Sequence, residues 1–210
     1  MISLEYERDG AAIYRQSFAT LRAEADLAGV PADLEPVVVR MIHACGDVGI
    51  VPLVEASDSF AAAAAAALGA GRPIWCDAEM VAHGITRSRL PAANEIRCRV
   101  GDPDVARQAL AAGTTRSAAA VDASLDDLHG GLAVIGNAPT ALFRLLELML
   151  DGRARPAAII GVPVGFVGAA ESKQALADRS PGVPFLTVHG RRGGSAMAAA
   201  AVNAAASPKE

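Results

Sequence analysis

The sequence predicts an α/β protein: one three-layer α/β/α domain around a mostly parallel five-stranded sheet. Three observations carry that reading. From residue 73 onward, short apolar runs alternate with longer helical segments. Two of the runs, LAVI at 132–135 and AAII at 157–160, are apolar throughout, and FLTV at 185–188 is apolar but for Thr187, as strands covered on both faces are. Aromatics are only 4% and glycines number 20, so the core is built from Val, Leu, Ile and Ala, with helices lying close to the sheet.

Taken in order, Tyr14–Leu27 reads as a helix. Phe18, Leu21 and Ala25 form its i, i+3, i+7 stripe, and Gly29 and Pro31 stop it. A second helix is expected from Asp33 as N-cap, with Pro36 tolerated in its first turn. It carries Val37, Val38, Met41 and Ile42 and ends at Gly46. Residues 47–54 read as a loop or a short strand. Ser59–Leu68 is a helix of alanines closed by Gly69 and Gly71. Pro73–Cys76 is the first expected strand, followed by the helical AEMVAHG. Glu95–Val100 alternates like a strand, and helices follow at Pro103–Ala112 and Arg116–Leu128. These three runs then lead into helices at Pro139–Leu150, Ala169–Ala177 and Ser195–Ala206. No linker or internal repeat interrupts residues 1–210, which read as a single domain. The tail SPKE is expected to fray.

Composition narrows the function. A chain of 210 residues with 52% hydrophobic and 20% charged residues builds a core and is not disordered. A net charge of −4 opposes a nucleic-acid binder. It leaves room for an anionic ligand met by local arginines. Cys45, Cys76 and Cys98 form no C-x-x-C pair, so neither a metal knuckle nor a disulfide framework is expected, and a reducing cytoplasm fits. The start, MISLEYERDG, lacks the apolar core of a signal peptide. The longest uncharged stretches, Pro156–Ala170 and Gly193–Pro208, fall short of the ~18 residues of a membrane span.

Ligands of such folds bind beyond the carboxyl ends of the strands. Three strand ends here are rich in glycine and polar groups: GNAPT at 136–140, GVPVG at 161–165 and HGRRGGS at 189–195. Each leads into a helix N-terminus, which favours anions. None matches the dinucleotide or phosphate-loop fingerprints. Glycines that only permit tight turns give the same pattern, so these loops mark the face and not the ligand.

Of the four histidines, His43, His83, His129 and His189, no two have zinc-binding spacing. His83 and His129 fall at expected helix ends, as surface or capping residues. His189, at a strand end, is placed to line a pocket. His43 lies in RMIHACGD at 40–47, with Arg40 one turn earlier on the same face. Gly46 leaves it in the last helical turn, where the negative end of the helix dipole favours imidazolium. A carboxylate-bearing ligand would favour it further, which is the setting of a general acid. A histidine that only caps helix-end carbonyls fits the same position. No G-x-S-x-G elbow is present, and Cys45 points away from His43 on the helix.

The segments RMIHACGD at 40–47, TTRSAAA at 114–120, GNAPTALF at 136–143, GVPVGFVGAAESK at 161–173 and GRRGGSAMAAAAVNA at 190–204 together resemble the precorrin-8X methylmutase (precorrin isomerase) family of cobalamin biosynthesis. The resemblance runs from about Tyr14 to Ala204. It implies an isomerase that moves a methyl group from C11 to C12 of precorrin-8X, giving hydrogenobyrinate, with no cofactor and no metal. It puts the family's catalytic histidine on His43, as the acid that protonates the macrocycle for a 1,5-sigmatropic shift. It puts substrate contacts on Ser17, Arg40, Thr86, Arg116, Asn137 and Lys173. Arg40 and Arg116 suit carboxylates best, whereas Lys173 also reads as a solvated helix lysine. Val164 and Phe166 either flank the ring or belong to the core. The resemblance also implies a homodimer with sites near the interface. The cobalt-precorrin-8 branch shares these motifs. Two other classes compete: a corrinoid carrier that holds the product, and a nucleotide- or sugar-phosphate-binding α/β enzyme, which the missing phosphate fingerprints oppose.

Overall fold

Asp9 starts the first helix. Its carboxylate accepts the Ala11 N–H at 2.9 Å and begins α1 (Gly10–Glu24) ahead of the expected Tyr14. The computed structural model describes residues 4–207, so the last three residues of SPKE and the first three of the chain lie outside it. Helix α2 (Glu35–Cys45) starts one residue later than expected, after Leu34 instead of Asp33, with Pro36 in its first turn. It ends at Gly46, whose φ of 66° is left-handed and costs a side-chain-free residue least. Residues 47–54 are neither loop nor plain strand. A 3₁₀ helix, Val48–Leu53, is capped by Asp47 and runs into β1 (Val54–Ala56).

The chain continues through α3 (Phe60–Gly69), β2 (Ile74–Cys76), α4 (Glu79–Gly84) and a 3₁₀ turn at Arg87–Arg89. It then forms β3 (Ile96–Arg97), α5 (Pro103–Ala112), α6 (Arg116–Asp122) and α7 (Leu125–Leu128). The rest is β4 (Leu132–Ile135), α8 (Pro139–Leu150), β5 (Ala158–Gly161), α9 (Ala169–Arg179), β6 (Phe185–Val188) and α10 (Ser195–Ala206). The single helix expected over 116–128 is broken. The Ser124 hydroxyl turns back to the Ala120 carbonyl at 2.7 Å, the local bond that competes with helix continuation. Strand β3 is shorter than the alternation at 95–100 predicts.

The sheet has six strands, in the order β1-β6-β5-β4-β2-β3. The five expected strands are mutually parallel. The sixth, β1, extends the β6 edge antiparallel, with Val54 opposite Val188. Helices α1 to α4 and α10 cover one face, where Val38, Ile42, Phe60, Leu68, Ile160 and Val202 meet. Helices α5 to α9 cover the other, around Trp75, Leu128, Leu142, Leu145 and Ile159. Helix α10 is buried from Met197 to Ala204. Its alanines let it lie against both α2 and the central strands β4 and β5. No helix of the described residues is long and apolar enough to cross a membrane.

Candidate active site

The carboxyl ends of β4, β5 and β6 set three loops side by side. The loops after β5 and β6 are bonded to each other: Gly194 N–H donates to the Val162 carbonyl at 2.9 Å, and Gly165 N–H to that of Arg191 at 3.3 Å. Gly193 makes this approach possible, because a Cβ there would lie 2.3 Å from the Val162 oxygen. Phe166 is 84% and Val164 45% exposed, so neither belongs to the core. The Arg191 guanidinium lies 5.2 Å over the Phe166 ring. Together with Cys45, Asp47 and Met197 they line a cavity of about 320 Å³.

A second cavity, about 440 Å³, opens beside the end of α2 and is lined by Ser17, Ile42, His43, Gly46 and Val48. The segment 45–48 is thus the wall between the two cavities. His43 is exposed in the last turn of α2, as its sequence position predicts. Helix α1 holds its ring. Ser17 Oγ is 3.1 Å from Nδ1, and the Phe18 ring stacks on the imidazole at 4.7 Å and 18°. Tyr14 flanks it at 5.7 Å and bonds Arg40, whose Nη1 donates to the phenol at 3.0 Å. Ser17, Arg40 and His43 therefore form one group.

The Thr86 backbone N–H is anchored to Asn203 Oδ1 at 2.8 Å, and its side chain is exposed at the head of the Arg87–Arg89 turn. Burial, and then the positive charge of Arg40, pull the Arg89 pKa down, which puts this turn on the Arg40 side of the molecule. Arg116 opens α6 behind its N-cap Thr115, whose hydroxyl donates to Thr140 Oγ1 at 2.8 Å. That bond ties Arg116 to the turn carrying Asn137, in the helical layer opposite His43. Both side chains are exposed.

Lys173 is not a solvated lysine. It is 0% exposed, and its Nζ donates to the Arg192 carbonyl at 2.6 Å. Burial lowers its pKa to about 8. Arg192 in turn donates from Nη1 to the Gly49 carbonyl at 2.9 Å and pairs with Asp47 at 3.4 Å. Lys173 thus braces the loop that joins the two cavities. His189 lines a separate groove between α8 and α9 and bonds Glu55. His83 bonds the Glu79 carbonyl at 2.8 Å in a capping role.

Sequence reasoning missed Asp77. This carboxylate, 1% exposed, follows β2 and accepts the N–H groups of Gly136 at 2.9 Å, Asn137 at 2.9 Å and Ala138 at 2.6 Å. Burial raises its pKa against the opposing pull of those three bonds. Its only signal in the sequence is an acid directly after a fully apolar strand, where a carboxylate must find donors. Among the described residues, no group of three or more His, Cys, Asp or Glu side chains is arranged to hold a metal.

The fold and this site define a small α/β enzyme with a histidine held between a serine hydroxyl and an aromatic ring beside an open cavity. The sequence profile of the Precorrin-8X methylmutase family matches residues 12–207, and the chain belongs to that family, isomerases of cobalamin biosynthesis. It is similar to Precorrin-8X methylmutase of Pseudomonas aeruginosa, 60% identical over 99% of this chain and 100% of the relative. The enzyme of that name from a Sinorhizobium species is 56% identical over 99% of both chains. Cobalt-precorrin-8 methylmutase of Salmonella typhimurium is 41% identical over 81% of this chain and 79% of the relative. The solved precorrin-8X methyl mutase of Thermus thermophilus superposes with a TM-score of 0.85 at 38% identity, covering 94% of this chain and 95% of that one.

Proposed function

We propose that the chain converts precorrin-8X to hydrogenobyrinate, with His43 as the general acid. The observation that carries the assignment is the Ser17–His43 pair held at 3.1 Å over the Phe18 ring. In the imidazolium, Nδ1–H donates to Ser17 Oγ, which fixes the ring and leaves Nε2–H for the substrate. Nε2 lends its proton to a ring nitrogen of the macrocycle. The bond from the methyl to C11 then breaks as the bond to C12 forms. Substrate and product are isomers, so the proton returns and His43 is regenerated.

The substrate is a broad apolar ring bearing many carboxylates. Phe166 and Val164 supply an apolar wall. Arg40, Arg116, Ser17, Thr86 and Asn137 supply carboxylate partners, and Lys173 acts on the substrate through the loop whose carbonyl it holds. Identities of 60% and 56% to relatives named for precorrin-8X, against 41% to one named for cobalt-precorrin-8, favour the metal-free substrate. The working form is a homodimer in the cytoplasm, each chain a single domain. Arg116 and His43 belong to opposite helical layers of one chain, and a tetrapyrrole needs more wall than the cavities beside His43 and Phe166 supply in one protomer. Sedimentation at micromolar concentration would give twice the chain mass.

The deciding experiment is single-turnover conversion of precorrin-8X by His43→Ala at saturating enzyme. Loss of a general acid costs about 10²–10⁴-fold in rate, while hydrogenobyrinate should still bind. Conversion within threefold of native would make His43 a pocket wall only.

A further inference from the structure

We infer that Asp77 is a positioning residue for substrate recognition: by clamping the turn after β4 it fixes the direction in which Asn137 meets the ligand. The inference rests on the reading above that Asn137 contacts substrate. Oδ1 of Asp77 takes the Gly136 N–H, and Oδ2 takes those of both Asn137 and Ala138. Three consecutive peptide planes, centred on Asn137, are therefore held by one side chain. Asp77 is fixed in turn, because its own N–H continues the sheet by donating to the Val134 carbonyl at 3.1 Å. On the far side the turn is backed by α10: a Cβ on Gly136 would lie 2.7 Å from the Ala198 Cβ and 2.9 Å from the Ser195 Cα.

The fold alone does not demand this arrangement. Asn137 is exposed and its N–H only partly buried, and a helix start can leave such a donor to water. Burying a carboxylate whose hydrogen-bond partners are all neutral N–H groups is the costlier solution. What it gains is a turn held without mobile water, so that the one exposed side chain on it, that of Asn137, is fixed before the ligand arrives. A pre-fixed contact loses less entropy on binding.

A double-mutant cycle on the full chain tests this, read as the affinity for hydrogenobyrinate by absorbance titration, together with KM, kcat and thermal midpoint. Asp77→Asn keeps size and one acceptor but turns an amide NH₂ toward the N–H groups. Asn137→Ala and Asp77→Asn should each weaken binding about tenfold. Their combination should be no more than twofold weaker than Asn137→Ala alone. In Asp77→Asn, KM should rise while kcat stays within threefold. Native affinity in Asp77→Asn overturns the inference. So does an equal loss in both backgrounds, which marks a purely structural acid and leaves the Asn137 contact standing. Native affinity in Asn137→Ala overturns both the inference and the reading beneath it. Where Asp77→Asn does not fold, Asp77→Ser, with one acceptor and room for water, goes through the same cycle with the same criteria.

Discussion

The turn after β4 and the segment after α2 both deliver the chain to the site, yet they are held in opposite ways. Residues 136–138 hang on a buried carboxylate through three backbone bonds. Residues 47–53 hang on a half-exposed acid, Asp47, which caps its own 3₁₀ helix and pairs with Arg192 across the cavity wall. The buried clamp leaves the buried Gly136 and Ala138 donors orphaned if it is cut. The exposed latch competes with water at every moment. The contrast teaches that two loops of equal standing in the site carry very unequal stability.

Cutting the clamp should cost most. Asp77→Ala should lower unfolding free energy by about 2–4 kcal/mol, because buried N–H groups lose their acceptor. Urea unfolding reads this directly, and a loss below 1 kcal/mol would mean that water replaces the carboxylate.

Arg116→Ala sharpens the contrast between holding the fold and holding the ligand. Its exposed guanidinium should contribute about 1.5–3 kcal/mol to hydrogenobyrinate binding, with the thermal midpoint almost unmoved. A titration that gives native affinity removes Arg116 from the site.

Lys173 braces the latch side from within, and pH exposes it. Its folded pKa of about 8 lies below the 10.5 of an unperturbed lysine. Between those values the unfolded chain binds more protons, so this group's contribution to stability rises with pH. Below pH 8 both states are protonated and the burial penalty stands in full. Urea midpoints measured from pH 7 to 10 should therefore favour the native chain increasingly over Lys173→Met. A constant difference would mean that burial leaves the Lys173 pKa where the unfolded chain has it.

The smallest effect should come from the latch. Asp47→Ala loses a cap and a half-exposed ion pair, about 1 kcal/mol together. A loss matching that of Asp77→Ala would erase the distinction between the two loops.

The same contrast explains what could be read from the sequence. Helices α5, α8 and α10 and strands β4 and β6 were legible to the residue, because short mostly apolar runs, a proline in the first turn, or an alanine-rich stretch define them locally. Strand β1 was not. Its three residues are too short to alternate, and its place depends on pairing with β6 across the whole chain. His43 was legible because its helix end, Gly46 and Arg40 are neighbours in sequence. Its partnership with Ser17 needed two helices to cross. Lys173 sits between Ser172 and Gln174 and reads as a surface lysine until the 190–194 loop covers it. Asp77 was the least legible, since the donors that justify its burial lie 59 to 61 residues further along.

The filled turn before α8 also determines what this corner of the site ignores. In α/β folds, a helix start with several free N–H groups is where phosphate is captured. Here the seat is taken by a carboxylate tethered to the adjacent strand, present at an effective concentration no dissolved anion matches. Free phosphate, nucleotides and sugar phosphates meet a negative charge where related architectures offer them a positive one. At this turn, therefore, the carboxylates of the macrocycle need not compete for their places with the most common anions of metabolism.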